Sequence, residues 1–143
     1  MAMENASRVM NGTWGQVWED GAEIVEVSAF QVKVANNFDT LNLCGQMAED
    51  RKLTGVKITG SMTLHKVYTR GADAVKAAMA GKDLRKTLTG KLADPDAYGA
   101  ERVAVYGVSY DEHTIMDWEA AKAGSVTIPF AATGIEFLDT VEA

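Results

Sequence analysis

The sequence predicts a mainly β fold of the α+β class, namely a β-sandwich or half-barrel of six or seven strands with one short inserted α-helix. Three observations support this prediction. Most of the chain consists of runs in which every second residue is apolar, only one segment has apolar residues at helical spacing, and turn-forming clusters separate these segments. Side chains alternate between the two faces of a strand but repeat every 3.6 residues in a helix, so the two patterns are distinct.

The length and composition indicate one domain, residues 1–143, that can bury its own core. The net charge of −6 argues against a protein that neutralises nucleic-acid phosphates. Cys44 is the only cysteine, so no intrachain disulfide is expected and a reducing compartment is favoured. The amino terminus lacks the apolar run of a secretory signal, and no segment approaches the ~20 apolar residues of a membrane helix.

The first elements are predicted from turn signals and from a change of phase. Residues 1–11 are expected to form a flexible arm before the first strand. Asp20-Gly21 supplies the positive φ angles of a tight turn, which predicts a β-hairpin. In the return strand the apolar residues move from odd to even positions between Ser28 and Phe30, and such a change is typical of a bulge or bend.

A long irregular segment and a long strand come next. Residues 39–53 have no clear period and mix charged with apolar residues, which predicts an extended loop that becomes buried when a partner binds. Residues 53–69 then alternate over far more than the usual length of about five or six residues. One face of this strand carries Val56, Ile58, Met62 and Leu64, and the opposite face carries Lys57, Thr59, Ser61, Thr63 and His65.

The second half of the chain contains the helix and the remaining strands. Residues 72–81 have helical spacing and predict one helix of about three turns. Residues 82–92 return to a period of two, and residues 101–111 are apolar on both faces, as in a central strand. Residues 111–124 predict either a partly helical turn or a hairpin arm. The closing strand, residues 125–139, changes phase near its middle.

Candidates for catalysis or metal binding are few. Asp111-Glu112-His113 and Asp117 contain metal-ligating residue types, but no second histidine stands at ligand spacing. Cys44 has no local sequence context typical of a nucleophile, and His65 is expected to be an ordinary surface histidine. The glycines form no phosphate-binding loop between a strand and a helix. We therefore predict a protein that is not an enzyme and has no metal or other cofactor.

One possible function is a small-ligand-binding β-barrel of the lipocalin type. Gly12-Thr13-Trp14 resembles the G-x-W start of lipocalins, and a β-rich chain of this length suits a ligand-binding barrel. The match covers three residues, however, and the predicted helix lies in the middle of the chain rather than near its end. The lipocalin-like barrel is therefore the alternative hypothesis.

The order of elements points to a self-assembling structural protein. A short arm, a hairpin, a long loop, a long two-faced strand, an Ala-rich helix and a closing strand follow one another. The most specific segments are Trp14-Gly15, Asp20-Gly21, the strand from Gly55 through Gly60 to Lys66-Val67-Tyr68, and the closing Phe130, Gly134 and Phe137. In this order, over nearly the whole chain, the sequence resembles the tail tube proteins of contractile-tailed phages, and most closely those of PBSX-type defective prophages.

The resemblance implies a fold, a role and a set of partners. It implies homohexameric rings in which each subunit contributes strands to one barrel, completed by ring oligomerisation, around a channel. Stacked rings form the tail tube, with a tail sheath protein outside and tail initiator or baseplate and terminator proteins as further partners. DNA passes through the lumen without specific binding, and an acidic subunit suits a channel that repels phosphate. The location is the virion tail, after assembly in the host bacterial cytoplasm, with no membrane.

The resemblance also assigns two candidate surfaces. The polar face of the long strand is expected to face the lumen, through Lys57, Thr59, Ser61, Thr63 and His65. The alternative is that this face points toward the sheath or the helix. The segment 39–53 is expected to be the inter-subunit loop that stacks one ring on the next, with contacts from Leu41, Leu43, Met47, Arg51 and Lys52.

Overall fold

The computed structural model describes residues 3–143, and its regular structure is almost entirely β. The strands are β1 (Gly15–Glu19), β2 (Ala22–Glu23), β3 (Val27–Leu41), β4 (Asp50–His65), β5 (Lys86–Leu92), β6 (Glu101–Tyr110), β7 (Ser125–Ala132) and β8 (Gly134–Asp139). The helix α1 (Ala72–Met79) lies between β4 and β5, and two short 3-10 turns (Ala6–Arg8 and Gly12–Trp14) precede β1. No helix within residues 3–143 has the length and hydropathy required to cross a membrane.

The strands form one strongly bent antiparallel arrangement. The order is β2-β1-β5-β6-β7-β4-β3, and β8 pairs with β6 beside β7. We call β2, β1, β5, β6 and β8 sheet A, and β3, β4 and β7 sheet B. The two sheets join at β6. Residues 101–108 of this strand pair with β5 of sheet A, whereas Ser109 and Tyr110 pair with β7 of sheet B. This topology confirms the predicted mainly β fold with one inserted helix.

The chain changes sheets a second time between β7 and β8. Thr133 interrupts the closing strand, and its backbone N–H donates a hydrogen bond of 3.0 Å to the Tyr106 carbonyl. Opposite it, Gly107 has a φ of +64°, and a Cβ at this position would collide with the Thr133 hydroxyl. Only glycine fits this close approach without strain. The predicted phase change in the closing strand is this corner, and it gives eight strands where six or seven were expected.

The hydrophobic core lies between sheets A and B. Both of its clusters combine residues of the two sheets: Val17, Ile24, Met62, Leu64 and Ile128 in one, and Ile58, Leu88, Val105, Val108 and Phe130 in the other. The Phe130 ring stacks on the Phe30 ring, with centroids 6.0 Å apart. Gly60 and Gly90 leave room for these two rings. The apolar face predicted for the long strand is therefore the core face of β4.

Several local predictions are confirmed. The Asp20-Gly21 turn joins β1 to β2, with φ angles of 49° and 85°. The register of β3 against β4 shifts between Val27 and Ala29, which is the bulge predicted from the phase change. The helix is present but has eight residues, little more than two turns, and none of its side chains is buried. Residues 111–124, for which two structures were expected, form an irregular loop.

The predicted arm, residues 1–11, and the predicted loop, residues 39–53, both contact other segments of the chain. Residues 1 and 2 of the arm lie outside the described residues, but the rest of it contacts the loop after β5. Arg8 donates a 3.0 Å hydrogen bond to the Asp96 carbonyl, and the Asn11 N–H donates a 2.8 Å bond to Asp94. The segment 39–53 is a loop only over residues 42–49, because backbone pairing extends β3 and β4 into both of its ends.

Candidate assembly surfaces

The side of sheet B that faces away from sheet A is polar, and we call it the wet face. Because Ile58, Met62 and Leu64 point into the core, the alternate residues of β4 point to the opposite side. The strand register adds residues of β3 and β7 to this face, which consists of Ala29, Gln31, Lys33, Ala35, Lys57, Thr59, Ser61, Thr63, His65, Ser125, Thr127, Pro129 and Ala131. All five residues predicted from the β4 pattern therefore lie together.

The wet face carries positive charge. Lys33 lies opposite Thr59 and Lys57 lies opposite Ala35, so the two exposed lysines are diagonal neighbours about 7–8 Å apart. Neither lysine takes part in an ion pair within residues 3–143. The wet face contains no carboxylate. The negative net charge of the chain therefore resides on other surfaces, and Lys33 is a charged member that the β4 pattern could not identify.

Strand β3 forms an edge of sheet B that no strand within residues 3–143 pairs with. All of its 15 residues except Ser28 pair with β4 on one side, and β3 ends the strand order on the other. The Pro129 carbonyl accepts a 2.9 Å hydrogen bond from Asp111 N–H, so the polar backbone groups of Pro129 point away from β4. Backbone groups alternate along an antiparallel strand. Ser61, which lies opposite Pro129, therefore bonds to Gln31 of β3 instead. The alternate residues Val32 and Val34 then direct their N–H groups outward, to the free edge of β3.

The hairpin of β3 and β4 projects beyond the core, and we call residues 41–50 its tip. The candidate stacking residues divide between strand and loop: Leu41, Arg51 and Lys52 lie in strands, whereas Leu43 and Met47 lie in the loop. All five are exposed, Met47 completely. The Arg51 guanidinium lies 4.1 Å from the centre of the Phe38 ring, a cation–π contact.

The opposite end of the strands contains a partly buried polar cluster. The Arg70 guanidinium makes a two-point ion pair with Glu26, whose side chain is only 4% exposed, and this contact holds the pKa of Glu26 below its usual range. Tyr110 donates a 2.6 Å hydrogen bond to Glu19, and burial together with this bond raises the pKa of Tyr110. Burial lowers the pKa of His113, whose ring packs edge-on against Tyr110 with centroids 5.2 Å apart.

Two cavities among residues 3–143 are candidates for a catalytic site. One, of about 420 Å³, adjoins the polar cluster, where Glu26, Arg70 and Tyr110 already bond to protein groups. The other, of about 620 Å³, is an open groove between β3 and sheet A, lined mainly by apolar residues. Within residues 3–143, no three His, Cys, Asp or Glu side chains are grouped as metal ligands.

Comparison with known proteins decides the family. The sequence profile of one family, described as phage tail tube protein, matches residues 2–139. The chain belongs to the phage tail tube protein family. It is 30% identical over 131 residues, 87% of each chain, to the phage-like element PBSX protein XkdM of Bacillus subtilis strain 168. It is equally similar to the uncharacterized protein YqbM of the same strain.

Subunits of solved tube and tail structures share the fold. The chain matches a subunit of the PVC sheath–tube complex of an extracellular contractile injection system, with a TM-score of 0.62, 11% identity and 92% coverage of both chains. It also matches a subunit of the tube-terminating cap of the anti-feeding prophage, with a TM-score of 0.62, 14% identity and coverage of 98% and 95%. A third match, in the tail of an empty gene transfer agent particle, has a TM-score of 0.54 and 14% identity.

Family membership decides between the sequence-based hypotheses. The resemblance to phage tail tube proteins and the prediction of a structural protein rather than an enzyme are confirmed. The lipocalin-like alternative is replaced by membership of the phage tail tube protein family. Its three-residue motif, Gly12-Thr13-Trp14, forms a 3-10 turn ahead of β1, and Trp14 is half exposed there.

Proposed function

We propose that this tail tube protein forms homohexameric rings that stack into a tube, and that residues 1–143 act as one tube domain. In each ring, sheet B of every subunit joins sheet B of the next, so that the subunits together complete a barrel around a channel. DNA passes through this channel without sequence-specific binding. The unpaired 15-residue edge of β3 is the observation that carries this proposal.

A long free edge requires a partner strand or another form of protection. An exposed edge presents unpaired N–H and C=O groups that promote uncontrolled association, and barrel closure removes it. The other margin of sheet B is β7, whose residues 125–128 pair with β4 on one side and with no described strand on the other. Joining β3 of one subunit to β7 of the next uses two different surfaces, and such head-to-tail contacts close into rings.

The position of the core supports a wet face that lines the lumen. Sheet A covers the apolar side of sheet B, so a ring with sheet A outside exposes the wet face to the channel. Lys57, Thr59, Ser61, Thr63 and His65 are then wall residues, together with Lys33 of β3. The alternative, with this face toward the sheath, would direct sheet A and the core into the channel.

The charge of this wall differs from the sequence-based expectation of an acidic lumen. The wet face has two lysines and no carboxylate, because the acidic residues of β3, β4 and β7, Asp39 and Asp50, lie in the projecting hairpin. A ring would repeat Lys33 and Lys57 in every subunit. Cations attract phosphates without reading sequence, so contact between DNA and the wall would weaken as salt increases.

The structural matches suggest partners and a location. Matching chains occur in a sheath–tube complex, a tube-terminating cap and a baseplate. We infer that this protein contacts a tail sheath protein, an initiator or baseplate protein and a terminator protein. Segment 39–53, including Leu41, Leu43, Met47, Arg51 and Lys52, would stack one ring on the next. The subunit would assemble in the host bacterial cytoplasm and reside in the tail of the particle.

A proline at the free edge tests ring closure. Val34→Pro removes an outward backbone N–H but no bond to β4, and proline is tolerated on such an edge. The matched control Val34→Ala keeps the N–H and loses a similar amount of apolar surface. Native mass spectrometry and negative-stain images over a concentration series should show rings and tubes for the wild type and Val34→Ala.

Val34→Pro should remain a folded monomer with unchanged far-ultraviolet circular dichroism. Normal rings from Val34→Pro would exclude the β3 edge as the joining surface. A wild-type protein that stays monomeric at every concentration, even with preformed tail initiator present, would overturn the proposed function itself.

A further inference from the structure

Two exposed apolar surfaces lie at opposite ends of the long strands. At one end, the hairpin tip exposes Leu41, Leu43 and Met47. At the other end, the loop of residues 111–124 leaves β6 and enters β7, and it exposes Ile115, Met116 and Trp118, of which Met116 is 80% and Trp118 is 81% exposed. We call these three residues the upper patch.

The register fixes the positions of these surfaces relative to one another. Leu41 pairs with Asp50 at one end of β4, and His65 pairs with Ser125 at the other end. These ends are separated by 15 residues of strand, or about 50 Å. A subunit with two apolar surfaces at opposite ends can join copies end to end, and such contacts continue along an axis when the rotation between copies does not close a ring.

The loop that carries the upper patch is anchored at its base. The Lys66 N–H donates a 2.8 Å hydrogen bond to the Gly124 carbonyl, and Asp111 bonds to Pro129. The His113 ring fills the space beside Gly71, where a Cβ would approach the ring to 2.5 Å. Packed between Tyr110 and Gly71, the half-buried His113 fixes the direction in which the loop leaves β6. Such preorganisation reduces the entropy lost when the patch is covered.

Charged groups at the two ends can also pair with one another. The loop 111–124 contains four carboxylates, Asp111, Glu112, Asp117 and Glu119, and one lysine, which pairs with Glu119. The hairpin carries the exposed cations Arg51 and Lys52, next to the exposed acidic residues Asp39, Glu49 and Asp50. Opposite charges that meet across an interface set its register and its orientation.

We propose that the upper patch is the receiving surface for ring stacking, and that the hairpin tip of a second copy, in the adjacent ring, packs on Ile115, Met116 and Trp118. This inference rests on the proposed function and adds to it the site of the partner subunit. A ring built from such subunits has six tips on one side and six upper patches on the other. Stacking then has one direction only.

A pair of variants tests this contact. Met116→Ser with Trp118→Ser removes the two most exposed residues of the patch, which should not affect folding. Met79→Ser is the control, because Met79 is a similarly exposed methionine on α1, in the connection that follows the same end of β4. Truncation of a central interface residue usually weakens binding by about tenfold or more.

We expect the double variant to form rings of wild-type mass but to need at least about tenfold more protein for tubes. Met79→Ser should assemble like the wild type. Wild-type tube formation by the double variant, or an equal defect in Met79→Ser, would overturn the assignment. Loss of rings would also overturn it, by placing the patch within the ring. Absence of rings from the wild type would instead contradict the proposed function.

The native cysteine gives an independent measurement. Cys44 is exposed in the hairpin tip, and Met116→Cys places a second thiol in the upper patch. In assembled tubes a flexible bismaleimide should join these residues between subunits and produce a ladder of covalent multimers. The same variant with Cys44→Ala should produce none. An equal ladder without Cys44 would show that the thiols of neighbouring upper patches react with each other, and would refute the proposed contact.

Discussion

Arg70 neutralises a buried carboxylate, and we predict that its removal strongly destabilises the fold. The Arg70→Met variant keeps much of the apolar stem but leaves Glu26, 4% exposed, with no cation in contact. Removing one partner of a buried ion pair typically costs about 3–5 kcal/mol, because the remaining charge has lost its water without compensation. We expect a loss of that size in the free energy of unfolding at pH 7, measured by urea denaturation at concentrations below ring assembly.

The contribution of Glu26 to the pH dependence of the free energy of unfolding should change sign in Arg70→Met. In the wild type, the hydrogen bond from Arg70 lowers the pKa of Glu26 below its unfolded value of about 4.3. The ion pair therefore stabilises the protein fully above pH 4.3, and this stabilisation is lost as the pH falls through the lower folded pKa. Without Arg70, burial would raise the pKa of Glu26, so the difference between wild type and variant should shrink as the pH falls from 7 to 4.

A double variant separates the buried charge from the loss of packing. Glu26→Gln with Arg70→Met removes both charges, and we expect it to recover most of the stability lost in Arg70→Met. A loss below about 1 kcal/mol in Arg70→Met would show that the pair behaves like an exposed one. A double variant as unstable as the single variant would show that other contacts of the Arg70 guanidinium, such as its cation–π contact with the Tyr68 ring at 5.4 Å, are the dominant contribution.

Three further predictions concern the corner, the polar cluster and the wet face. Gly107→Ala should cost about 1–3 kcal/mol in urea denaturation because of its positive φ and the contact with Thr133, whereas Gly12→Ala, which meets no atom, should be near neutral. Tyr110→Phe should lose about 1.5–3 kcal/mol, since its hydrogen bond to the Glu19 carboxylate is charge-assisted, and an unchanged stability would contradict this bond. Lys33→Gln with Lys57→Gln should leave tube formation intact and reduce the salt dependence of DNA release from filled particles, and an unchanged salt dependence would argue against a lysine-lined lumen.

Features of the fold that depend on residues adjacent in the sequence could be predicted from the sequence. The Asp20-Gly21 turn, the bulge near Ser28 and the corner near Gly134 each follow from turn chemistry or from a local change of phase. The five polar residues of β4 share one face for the same reason, since a strand repeats every two residues. Membership of Lys33 in the wet face required the register of β3 against β4, which no local pattern specifies.

Contacts between distant segments explain the differences from expectation. The arm contacts the loop after β5 through the hydrogen bond from Arg8 to the carbonyl of Asp96, 88 residues away, and no periodicity reports such a bond. Glu26 is buried despite its charge, and it pairs with Arg70, 44 residues away in the sequence. The segment 39–53 lacks an apolar period because both faces of the projecting hairpin are exposed, so its strand ends are specified by backbone pairing alone.

Strand β4 contributes both to the wet face and to the hairpin tip, and an irregularity in the strand pairing lies between these two parts. Within the sandwich, a one-residue slip of β4 would exchange core residues such as Met62 with wet-face residues such as Thr63, so the register there is strongly constrained. Between Asn37 and Phe38 the register shifts by one residue, with Thr54 as the extra residue of β4. Such irregularities bend the strands and increase their twist. The direction of the tip is therefore not set by the wet face. Substitutions in the tip should alter the proposed ring stacking and leave the wet face unchanged.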